Sequence, residues 1–464
     1  MRINVKDVIM QGSVWSSLKC TSSMDQLNQT ARSEEALKYL YKEDPNIPVG
    51  VLGFIDDTLG VSECGTASIQ KNAAINSFIE TQRLKLSAEK SVVVHVGKKC
   101  TVPCPQLKVH NDPMTICEST KYLGNVVSTS GGNKETIEDR RKNGWGKIST
   151  IMGILGEVDM GCNRLEAGLL LRESILVNSL LYSAESWSGV TEKQLARLET
   201  VDNSLLTQLT GGHSKCALEF NHLETGTLKL RHILSYRRLM FHHNILARDH
   251  DETIHKIYTK QKEEYTKGDW YQLLKKDFDF IGIDVNEEII RRTSKEDYKN
   301  IILNLIKNAA FKYFMQQKET HKKLDQVEYT ELKIQTYLKS RLLNNKEKKL
   351  LYLLRSRCYD VKSNFKRMHK NGIQCRFGCL TLEDQNHALL ECQPLNTKHK
   401  QTTNIEYSSL FSSLRKQLEA IKFFKYVDQF REHMKDHILP EGCRQDPCKF
   451  NSIVLVDYAT DLPL

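Results

Sequence analysis

Two adjacent carboxylates follow an apolar run in the first part of the chain, in the sequence Phe54-Ile55-Asp56-Asp57. Like charges beside a buried strand repel each other and lose solvation, so an opposite charge should offset them. A divalent cation would serve, because two-metal phosphoryl transfer needs clustered carboxylates that hold ions about 3.5–4 Å apart. The alternative is an ordinary turn, where Asp bonds to its own backbone. Asp56 and Asp57 are therefore candidate catalytic metal ligands.

A second group combines three cysteines and a histidine: Cys375, Cys379, His387 and Cys392, with the spacing C-x3-C-x7-H-x4-C. Zinc takes four thiolate or imidazole ligands in a tetrahedron, and this short span can supply all four. The other interpretation is a buried cysteine pair with an unrelated histidine. An odd total of thirteen cysteines in a chain without a signal sequence favours metal binding over disulfides. The pattern predicts one structural zinc site.

Two further groups of cysteine and histidine are weaker metal-site alternatives. The first lies between two expected strands, where several prolines suit an extended connection rather than a metal loop. The second is a cysteine pair with only distant histidines to complete it. These groups are Cys100, Cys104, His110 and Cys117, and Cys443 and Cys448 with His433 or His437.

The elements that position these residues change character near residue 133. Before it, short apolar runs predict strands and one helix, which is an α+β pattern. After it, leucine stripes at helical spacing and capping boxes at Asn163–Glu166 and Thr191–Gln194 predict helices, one of which should end at Gly211-Gly212. The expected strands are 49–55, 59–61, 92–96 and 121–127, with a helix at 68–83. The later helices are expected at 228–247, 295–317, 329–343 and 346–358.

Four motifs in order make the first part of the chain resemble the reverse-transcriptase palm of non-LTR (LINE-type) retrotransposons. That family has a Gln-Gly element before a helix, an aromatic-X-Asp-Asp hairpin, a Leu-X-Leu followed by a Lys, and a Lys-Tyr-Leu-Gly strand. Four motifs with suitable elements between them are more specific than any single one. The matching residues are Gln11-Gly12, Phe54 to Asp57, Leu84, Leu86 and Lys90, and Lys121 to Gly124.

The resemblance implies roles for the matched residues. Asp56 and Asp57 would bind catalytic Mg²⁺, and Gln11 and Gly12 would line the pocket of the nascent base pair. Lys90 would lie near the incoming deoxynucleoside triphosphate, unless it is simply an exposed lysine. Tyr122, with its neighbour Leu123, would support the primer end or pack the sheet. Many members of the family also carry a Cys-Cys-His-Cys element after the thumb, where the predicted zinc site falls.

The chain also departs from the family pattern. The Gln-Gly element usually continues into Ser-Pro, but Ser16-Ser17 stands here. The family places another metal-binding Asp on a strand well before that element, whereas Asp7 is only four residues before Gln11. We therefore expect a carboxyl-terminal fragment that begins within the palm, without fingers and first palm strand. Its two-metal site would be incomplete and inactive alone.

Basic residues are concentrated in one stretch of the chain. Residues 291–370 hold 21 Lys and Arg against 8 Asp and Glu, a net charge of +13. The whole chain has a net charge of +10, so the remainder is slightly acidic. Such a concentration favours a surface for nucleic acid, although a solvated helical face is the simpler alternative.

Composition and hydropathy argue against a membrane protein. No apolar run approaches the ~20 residues that span a bilayer, and the stretch 165–187 is interrupted by Arg172, Glu173 and Glu185. The amino terminus has no apolar signal-peptide core. We expect a protein that stays inside the cell, in the cytoplasm or the nucleus or both.

Together these inferences predict an α+β palm fragment, a helical thumb, a helical basic region, a zinc knuckle and a helical tail. The expected bounds are 1–132, 133–215, 216–370, 371–395 and 396–464. The expected parent activity is RNA-directed DNA synthesis, with an RNA template, a DNA primer and deoxynucleoside triphosphates as partners. The alternative is a non-enzymatic nucleic-acid-binding remnant or repurposed transposon protein. The sequence does not indicate an oligomeric state.

Overall fold

The computed structural model describes residues 39–54, 57–82, 85–97, 105–157, 164–320, 328–368, 372–396 and 407–436. Gln11, Gly12 and Asp56 therefore lie outside the described residues. Short strands occupy the first part of the described chain and helices nearly all of the rest. The α+β expectation is confirmed at this level of mixed helix and sheet.

The strands are β1 (Tyr39–Leu40), β2 (Pro48–Val49), β3 (Val51–Phe54), β4 (Asp57–Gly60), β5 (Val92–Val93), β6 (Lys108–Val109), β7 (Asp112–Pro113), β8 (Thr115–Ile116), β9 (Ser119–Tyr122) and β10 (Asn125–Ser128). The helices are α1 (Gly65–Thr81), α2 (Lys134–Glu157), α3 (Arg164–Leu171), α4 (Glu192–Thr210), α5 (Leu218–Thr225), α6 (Leu230–Leu246), α7 (Thr253–Glu264), α8 (Trp270–Ile281), α9 (Glu287–Arg292), α10 (Lys295–Thr320), α11 (Thr336–Lys339), α12 (Asn345–Arg355), α13 (Gln393–Asn396) and α14 (Leu414–Asp436). Helix α3 continues into a π-helical turn, Arg172–Val177, and a last turn, Asn178–Leu180.

The chain forms two compact units, each assembled from segments that are discontinuous in sequence. The first contains residues 1–153, 171–202 and 228–310, and the second contains 154–170, 203–227 and 311–464. Helices α2, α4 and α10 each contribute residues to both units. The basic stretch 291–370 is likewise divided between them. The contiguous domain bounds expected from sequence stay a prediction.

In the first unit, helix α1 holds together the strands that carry the aspartate motif. Strands β3 and β4 pair antiparallel from Val51 opposite Gly60 to Phe54 opposite Asp57. The buried ammonium group of Lys71 donates to the carbonyl oxygens of Gly50 and Val61, which lie side by side at the end of the hairpin where Val51 pairs with Gly60. Burial lowers the pKa of Lys71 to about 8, opposed by the charge of Glu63. Helix α1 therefore holds the two strands together at this end of the hairpin through one side chain.

The expected single strand over 121–127 is wrong, because the chain reverses within it. Strands β9 and β10 pair antiparallel with Tyr122 opposite Asn125. The two residues between them, Leu123 and Gly124, have φ of +46° and +75°. Two consecutive residues with positive φ form the turn that matches the twist of a tight hairpin. Gly124 adopts this conformation without steric cost, and the preceding Leu123 adopts a positive φ as well.

The expected helix over 329–343 is also wrong, since only α11 is helical there. Ile334 forms a β-bridge with Thr225. The buried hydroxyl groups of Tyr329 and Tyr337 donate to the two carboxylate oxygens of Glu224, each at 2.6 Å. These distant partners hold residues before α11 in an extended path and override the local helical pattern.

Other helices confirm the sequence prediction closely. The Thr191 amide donates to the Gln194 side chain at 2.9 Å, and the Gln194 amide donates back to Thr191 Oγ1 at 3.3 Å. Helix α4 ends before Gly211, whose φ is +67°. Helix α12 begins with a capping box between Asn344 and Glu347. No helix among the described residues is long and apolar enough to cross a bilayer.

Each unit has its own hydrophobic core. In the first unit the core is formed by α6, α8 and α10, with Leu239, Leu274 and Ile306 fully buried. In the second unit the core packs α12 against α14, and Leu351 and Phe424 are fully buried within it. The segment of the predicted zinc site belongs to this second core: Cys375, Ala388, Leu389, Cys392 and Leu395 are all part of it.

Candidate metal centre

The structure brings together all four residues of the predicted zinc site. One ligand atom each from Cys375, Cys379, His387 and Cys392 lies within 4.8 Å of the others. The sulfur of Cys392 is 3.9 Å from the sulfur of Cys375 and 3.9 Å from that of Cys379. Zinc–sulfur bonds of about 2.3 Å in a tetrahedron place two sulfurs about 3.8 Å apart. The thiols therefore already have the spacing that a tetrahedral zinc ion requires.

The first two cysteines are positioned by a narrow turn. Gly378 has φ of +96°, which favours glycine, and its amide donates to the Cys375 carbonyl at 3.2 Å. The Cys375 amide in turn donates to the Thr381 carbonyl at 2.9 Å. A β-bridge between Gln374 and Leu382 continues this pairing. The turn holds Cys375 and Cys379 on the same side.

The other two ligands come from a short helical turn of π type, His387–Glu391. Asp384 begins it, because its carboxylate accepts the His387 amide at 2.7 Å. The Cys392 amide then donates to the His387 carbonyl at 2.7 Å and brings the two ligands together. The Thr381 hydroxyl lies 3.0 Å from Nδ1 of His387. A partner on one ring nitrogen orients a histidine that binds metal through the other.

Burial and mutual contact perturb the three thiols. The hydrogen bond from the Cys392 thiol lowers the pKa of Cys375 to about 5, against the opposing effect of burial. The Phe377 amide also donates to the Cys375 sulfur, at 3.4 Å. The pKa of Cys392 is raised, first by this hydrogen bond to Cys375 and then by burial. Burial also raises the pKa of Cys379. The thiolate of Cys375 would be stabilised by the thiol and amide protons that point at its sulfur. A divalent cation bound at the site would replace the thiol protons.

Three cysteines and a histidine in a closed, largely buried set fit zinc by ligand type and by distance. Cys392 is fully buried, and His387 and Cys375 nearly so. Four side chains would fill all four positions around a tetrahedral zinc ion, so no position would stay open for substrate. A zinc ion bound here would be structural and would join the turn to the π-type helix. The sequence prediction of a Cys-Cys-His-Cys site is confirmed as a cluster able to hold zinc.

A buried carboxylate behind the site connects it to helix α14. Glu383 accepts Nε of Arg376 at 2.7 Å and the Arg376 backbone amide at 2.9 Å. Arg431 of α14 lies 3.8 Å from the same carboxylate and places its guanidinium over the ring of Tyr359. Sequence analysis did not anticipate this network, although Arg376 and Glu383 lie between the zinc ligands and could have been considered.

The β3–β4 hairpin that carries Asp57, here called the aspartate hairpin, differs from the buried cysteine and histidine cluster because its described motif side chains are exposed. Asp57 is exposed at the start of β4, opposite the exposed Phe54 of β3. The Tyr122 hydroxyl donates to the Leu52 carbonyl at 3.5 Å, so β9 approaches this hairpin. Burial, and then the negative charge of Asp57, raise the pKa of Tyr122. The structure thus brings Tyr122, one sequence-predicted site residue, into contact with the hairpin that carries another, Asp57.

The remaining predicted positions receive less support. Lys90 is exposed in a turn before β5. Among the described residues, the knuckle cluster is the one group of three or more acidic, histidine or cysteine side chains close enough to share an ion. Asp57 alone does not fit the several carboxylates of a two-metal site. Mg²⁺ binding by Asp56 and Asp57 therefore stays a proposal.

The two alternative cysteine groups lie only partly within the described residues. Cys117 is half-buried, and His110 is exposed with Nδ1 at 3.0 Å from the Glu80 carboxylate. Cys100 and Cys104 lie outside the described residues, as do Cys443 and Cys448. Neither group forms a metal cluster among the residues that the structure describes.

A buried ionic cluster in the second unit escaped sequence analysis. Arg355 donates through Nε and Nη2 to the Glu224 carboxylate, at 2.8–3.2 Å. Tyr329 and Tyr337 complete the bonding of that carboxylate, and the Arg355 guanidinium lies 5.1 Å from the Tyr337 ring centre. Both charged side chains are almost fully buried. The partners are more than a hundred residues apart, so no local pattern signals the cluster.

A comparison with known protein families, with curated proteins and with solved structures found no match to this chain. Its function is therefore inferred from its residues and their geometry.

Proposed function

We propose that this chain acts on nucleic acid as part of an RNA-directed DNA polymerase of the non-LTR retrotransposon type. The observation that carries the proposal is the contact of Tyr122 with the hairpin of Asp57. The two residues belong to separate motifs of the resemblance, 65 positions apart in sequence. Their proximity in space adds to the support from motif order.

In this proposal the chain contributes carboxylates and cations to nucleotidyl transfer. Asp56 and Asp57 hold Mg²⁺, which neutralises phosphate charge when bound. Gln11, Gly12 and Lys90 contact the incoming nucleotide, and Tyr122 supports the primer end. The RNA template and DNA primer are held through their phosphates by exposed lysines and arginines of residues 291–370. Zinc bound by the knuckle maintains the core of the second unit.

A specific observation favours the alternative of nucleic-acid binding without catalysis. Among the described residues, Asp57 belongs to no group of three or more acidic, histidine or cysteine side chains close enough to share an ion. By contrast, the basic helices and the knuckle need no further residues in order to bind a polyanion. The two candidates share nucleic-acid binding and differ in catalysis.

Two measurements on the full chain test these proposals. The first is binding of an RNA–DNA duplex at increasing salt, for which log K should fall steeply with log salt, with a slope of magnitude several. A flat dependence would refute phosphate contact. The second is extension of a DNA primer on an RNA template with Mg²⁺. We expect binding without measurable extension, because Asp57 belongs to no group of three or more candidate metal ligands among the described residues.

Matched variants make the second measurement decisive. Extension that disappears in Asp57→Asn, but survives in Asp112→Asn on β7, would establish catalysis and contradict the expected inactivity. If the wild-type chain and both variants bind the duplex but extend no primer, the result supports the non-enzymatic alternative for this chain alone. If the chain neither bound the duplex nor extended the primer, a role on nucleic acid would be refuted.

A further inference from the structure

A cleft of about 620 Å³ opens within the second unit, between the end of α4 and the start of α12. Its size suits a small organic ligand or a single nucleotide. Glycines and a histidine of the loop after α4 form one edge, and lysines and leucines of α12 form another. The lining residues include Gly211, Gly212, His213, Lys346, Lys349, and Phe365.

The charged groups around the cleft leave a positive field. Lys346 and Lys349 are exposed on one face of α12, and neither ammonium group has an ion pair with the described residues. The carboxylates on the opposite side are already compensated. Asp360 lies 3.4 Å from the guanidinium of Arg376, and Asp428 accepts the Tyr359 hydroxyl at 2.6 Å. Asp428 also lies 3.4 Å from Arg431. An anion would therefore be attracted to the lysines.

The floor of the cleft is apolar and aromatic. Phe365 lines it, with the His213 ring packed edge-on at 5.2 Å and the Lys215 ammonium 4.7 Å from the ring centre. Leu350 and Leu353 of α12 continue this surface. A flat apolar ring would find contact here while its charged substituents stayed near the lysines. This combination of apolar floor and cationic rim suits a base joined to phosphate.

The two glycines allow the loop after α4 to lie close to Lys349 and Tyr352 of α12. A Cβ atom on Gly211 would meet the side chain of Lys349 at 3.0 Å, and one on Gly212 would meet the Tyr352 ring at 2.6 Å. Gly211 also has φ of +67°. Glycine at both positions therefore lets the loop approach α12 closely, with the Lys349 stem packed against it and its ammonium at the rim.

We propose that this cleft receives one unpaired nucleotide of a nucleic-acid strand, with the base on the apolar floor and the flanking phosphates at Lys346 and Lys349. The inference rests on the proposed binding of nucleic acid and adds a preference for single strands. A base within a duplex is stacked and paired, so it cannot enter a cleft of this kind without leaving the helix. A free nucleoside triphosphate has the same chemistry, but a strand gains additional contacts along the basic surface.

The test compares the full zinc-loaded chain with two double variants that remove the same charge. Lys346→Gln/Lys349→Gln changes the cleft, and Lys339→Gln/Arg341→Gln changes exposed cations of the same stretch outside the cleft lining. The probe is a fluorescent twelve-nucleotide RNA, single-stranded or annealed to its complement. We expect the cleft variant to bind the single strand about tenfold more weakly, with a salt slope reduced by about 1.4. The control variant should keep the preference for single strands.

A second variant tests the floor independently of charge. Phe365→Leu keeps apolar bulk but removes the ring, and it should weaken single-strand binding about tenfold without changing the salt slope. A 2-aminopurine base in the probe should be quenched by the wild-type chain and less so by this variant. Circular dichroism and zinc content equal to wild type establish that both cleft variants are folded.

Three results would overturn the inference. Equal losses in the cleft and control variants would reduce the lysines to general surface charge. Equal affinity for duplex and single strand would exclude an inserted base. Displacement of the strand by an equal concentration of free nucleoside triphosphate would assign the cleft to a small molecule. If the wild-type chain bound no RNA at all, the proposed function itself would fail, so the two failures are distinguishable.

Discussion

The predicted zinc knuckle (375–392) and the β3–β4 hairpin that carries Asp57 hold the two most specific motifs of this chain. Within the described part of the chain, the structure gathers a set of candidate metal ligands at the first but not at the second. At the knuckle, four ligand atoms lie within 4.8 Å and are mostly buried. At the hairpin, Asp57 is exposed and belongs to no group of three or more candidate metal ligands among the described residues. The first motif supplies all four ligands of a site, whereas the second supplies only part of the ligands that its predicted site would need.

The difference follows from what each kind of site demands. A structural zinc site needs four cysteine or histidine side chains, which here come from eighteen consecutive positions, 375–392. A two-metal catalytic site needs carboxylates from separate strands, positioned to within a fraction of an ångström. Local sequence can complete the first, but only the assembly of distant segments can complete the second.

The largest effect should come from breaking the knuckle. We expect the wild-type chain to hold one zinc ion, and Cys375→Ser or His387→Ala to hold almost none. Structural zinc contributes about 10–16 kcal/mol in small sites, so its loss cannot be offset locally. Because Cys375 and Cys392 belong to the core of the second unit, that core should also loosen. Metal analysis and hydrogen exchange of 372–396 measure both effects.

Cys64→Ser is the matched control for this experiment, because Cys64 is an exposed thiol in the first unit. It should retain full zinc content and unchanged exchange. One zinc ion retained in both Cys375→Ser and His387→Ala would move the site to another cysteine group, and a wild-type chain without zinc would refute it.

A smaller but still large effect should come from the buried ionic cluster of the second unit. Removing one partner of a buried pair leaves an uncompensated charge and costs about 3–5 kcal/mol. Arg355→Met should therefore destabilise the second unit by about that amount, measured by urea unfolding. The double variant Arg355→Met/Glu224→Gln should recover part of the loss. In contrast, Lys121→Met should cost at most about 1 kcal/mol, because its ion pair with Asp139 is exposed.

The comparison also shows where sequence reasoning succeeds. The knuckle and the ends of α4 could be predicted because their partners are close in sequence, within eighteen positions at the knuckle and three positions apart at the start of α4. The hairpin at Leu123–Gly124 was misread as one strand, because β-branched and apolar residues flank a turn that only φ values reveal. The prediction of a helix over 329–343 is wrong, and the Glu224 cluster was not predicted, for the same reason. Both depend on bonds between Glu224 and side chains more than a hundred positions away.

An intermediate effect should appear as acid sensitivity of the first unit. Burial, with Lys229 and Arg231 nearby, lowers the pKa of His232 to about 3. Burial also lowers the pKa of His242 to about 4, aided by Lys262 and His243 and opposed by Glu287. Both are neutral when folded and gain a proton on unfolding below pH about 6.5. Stability is therefore complete above pH 6.5 and falls as pH decreases, by about 2 kcal/mol per histidine at pH 5.

Tryptophan fluorescence measures this effect, because Trp145, Trp187 and Trp270 all belong to the first unit. The urea midpoint should fall between pH 7 and pH 5. His232→Phe, which can preserve the stacking on Phe280, should make that fall smaller by about 2 kcal/mol. His95→Gln removes an exposed histidine and should leave it unchanged. An equal fall in His232→Phe and wild type would contradict a burial-dependent proton uptake.

The smallest effect tests whether the hairpin is an edge of a site at all. The charge of Asp57 contributes to raising the pKa of Tyr122, so Asp57→Asn should lower that pKa toward its ordinary value. Burial is the larger cause and is unchanged by the substitution, so the reversal should be only partial. Stability should change by less than about 0.5 kcal/mol, because Asp57 is exposed and makes no ion pair among the described residues.

NMR titration of ¹³C-labelled tyrosine follows the Tyr122 hydroxyl directly, with the resonance assigned through Tyr122→Phe. Asp112→Asn is the matched control, because it removes an exposed carboxylate from β7 instead of the hairpin. If Asp57→Asn and Asp112→Asn shifted the Tyr122 midpoint equally, the effect would reflect net charge rather than proximity. A specific shift in Asp57→Asn, enlarged when Asp56→Asn is added, would place both aspartates of the motif beside Tyr122. Two carboxylates on one side of the hairpin would be the start of the cluster that a two-metal site requires.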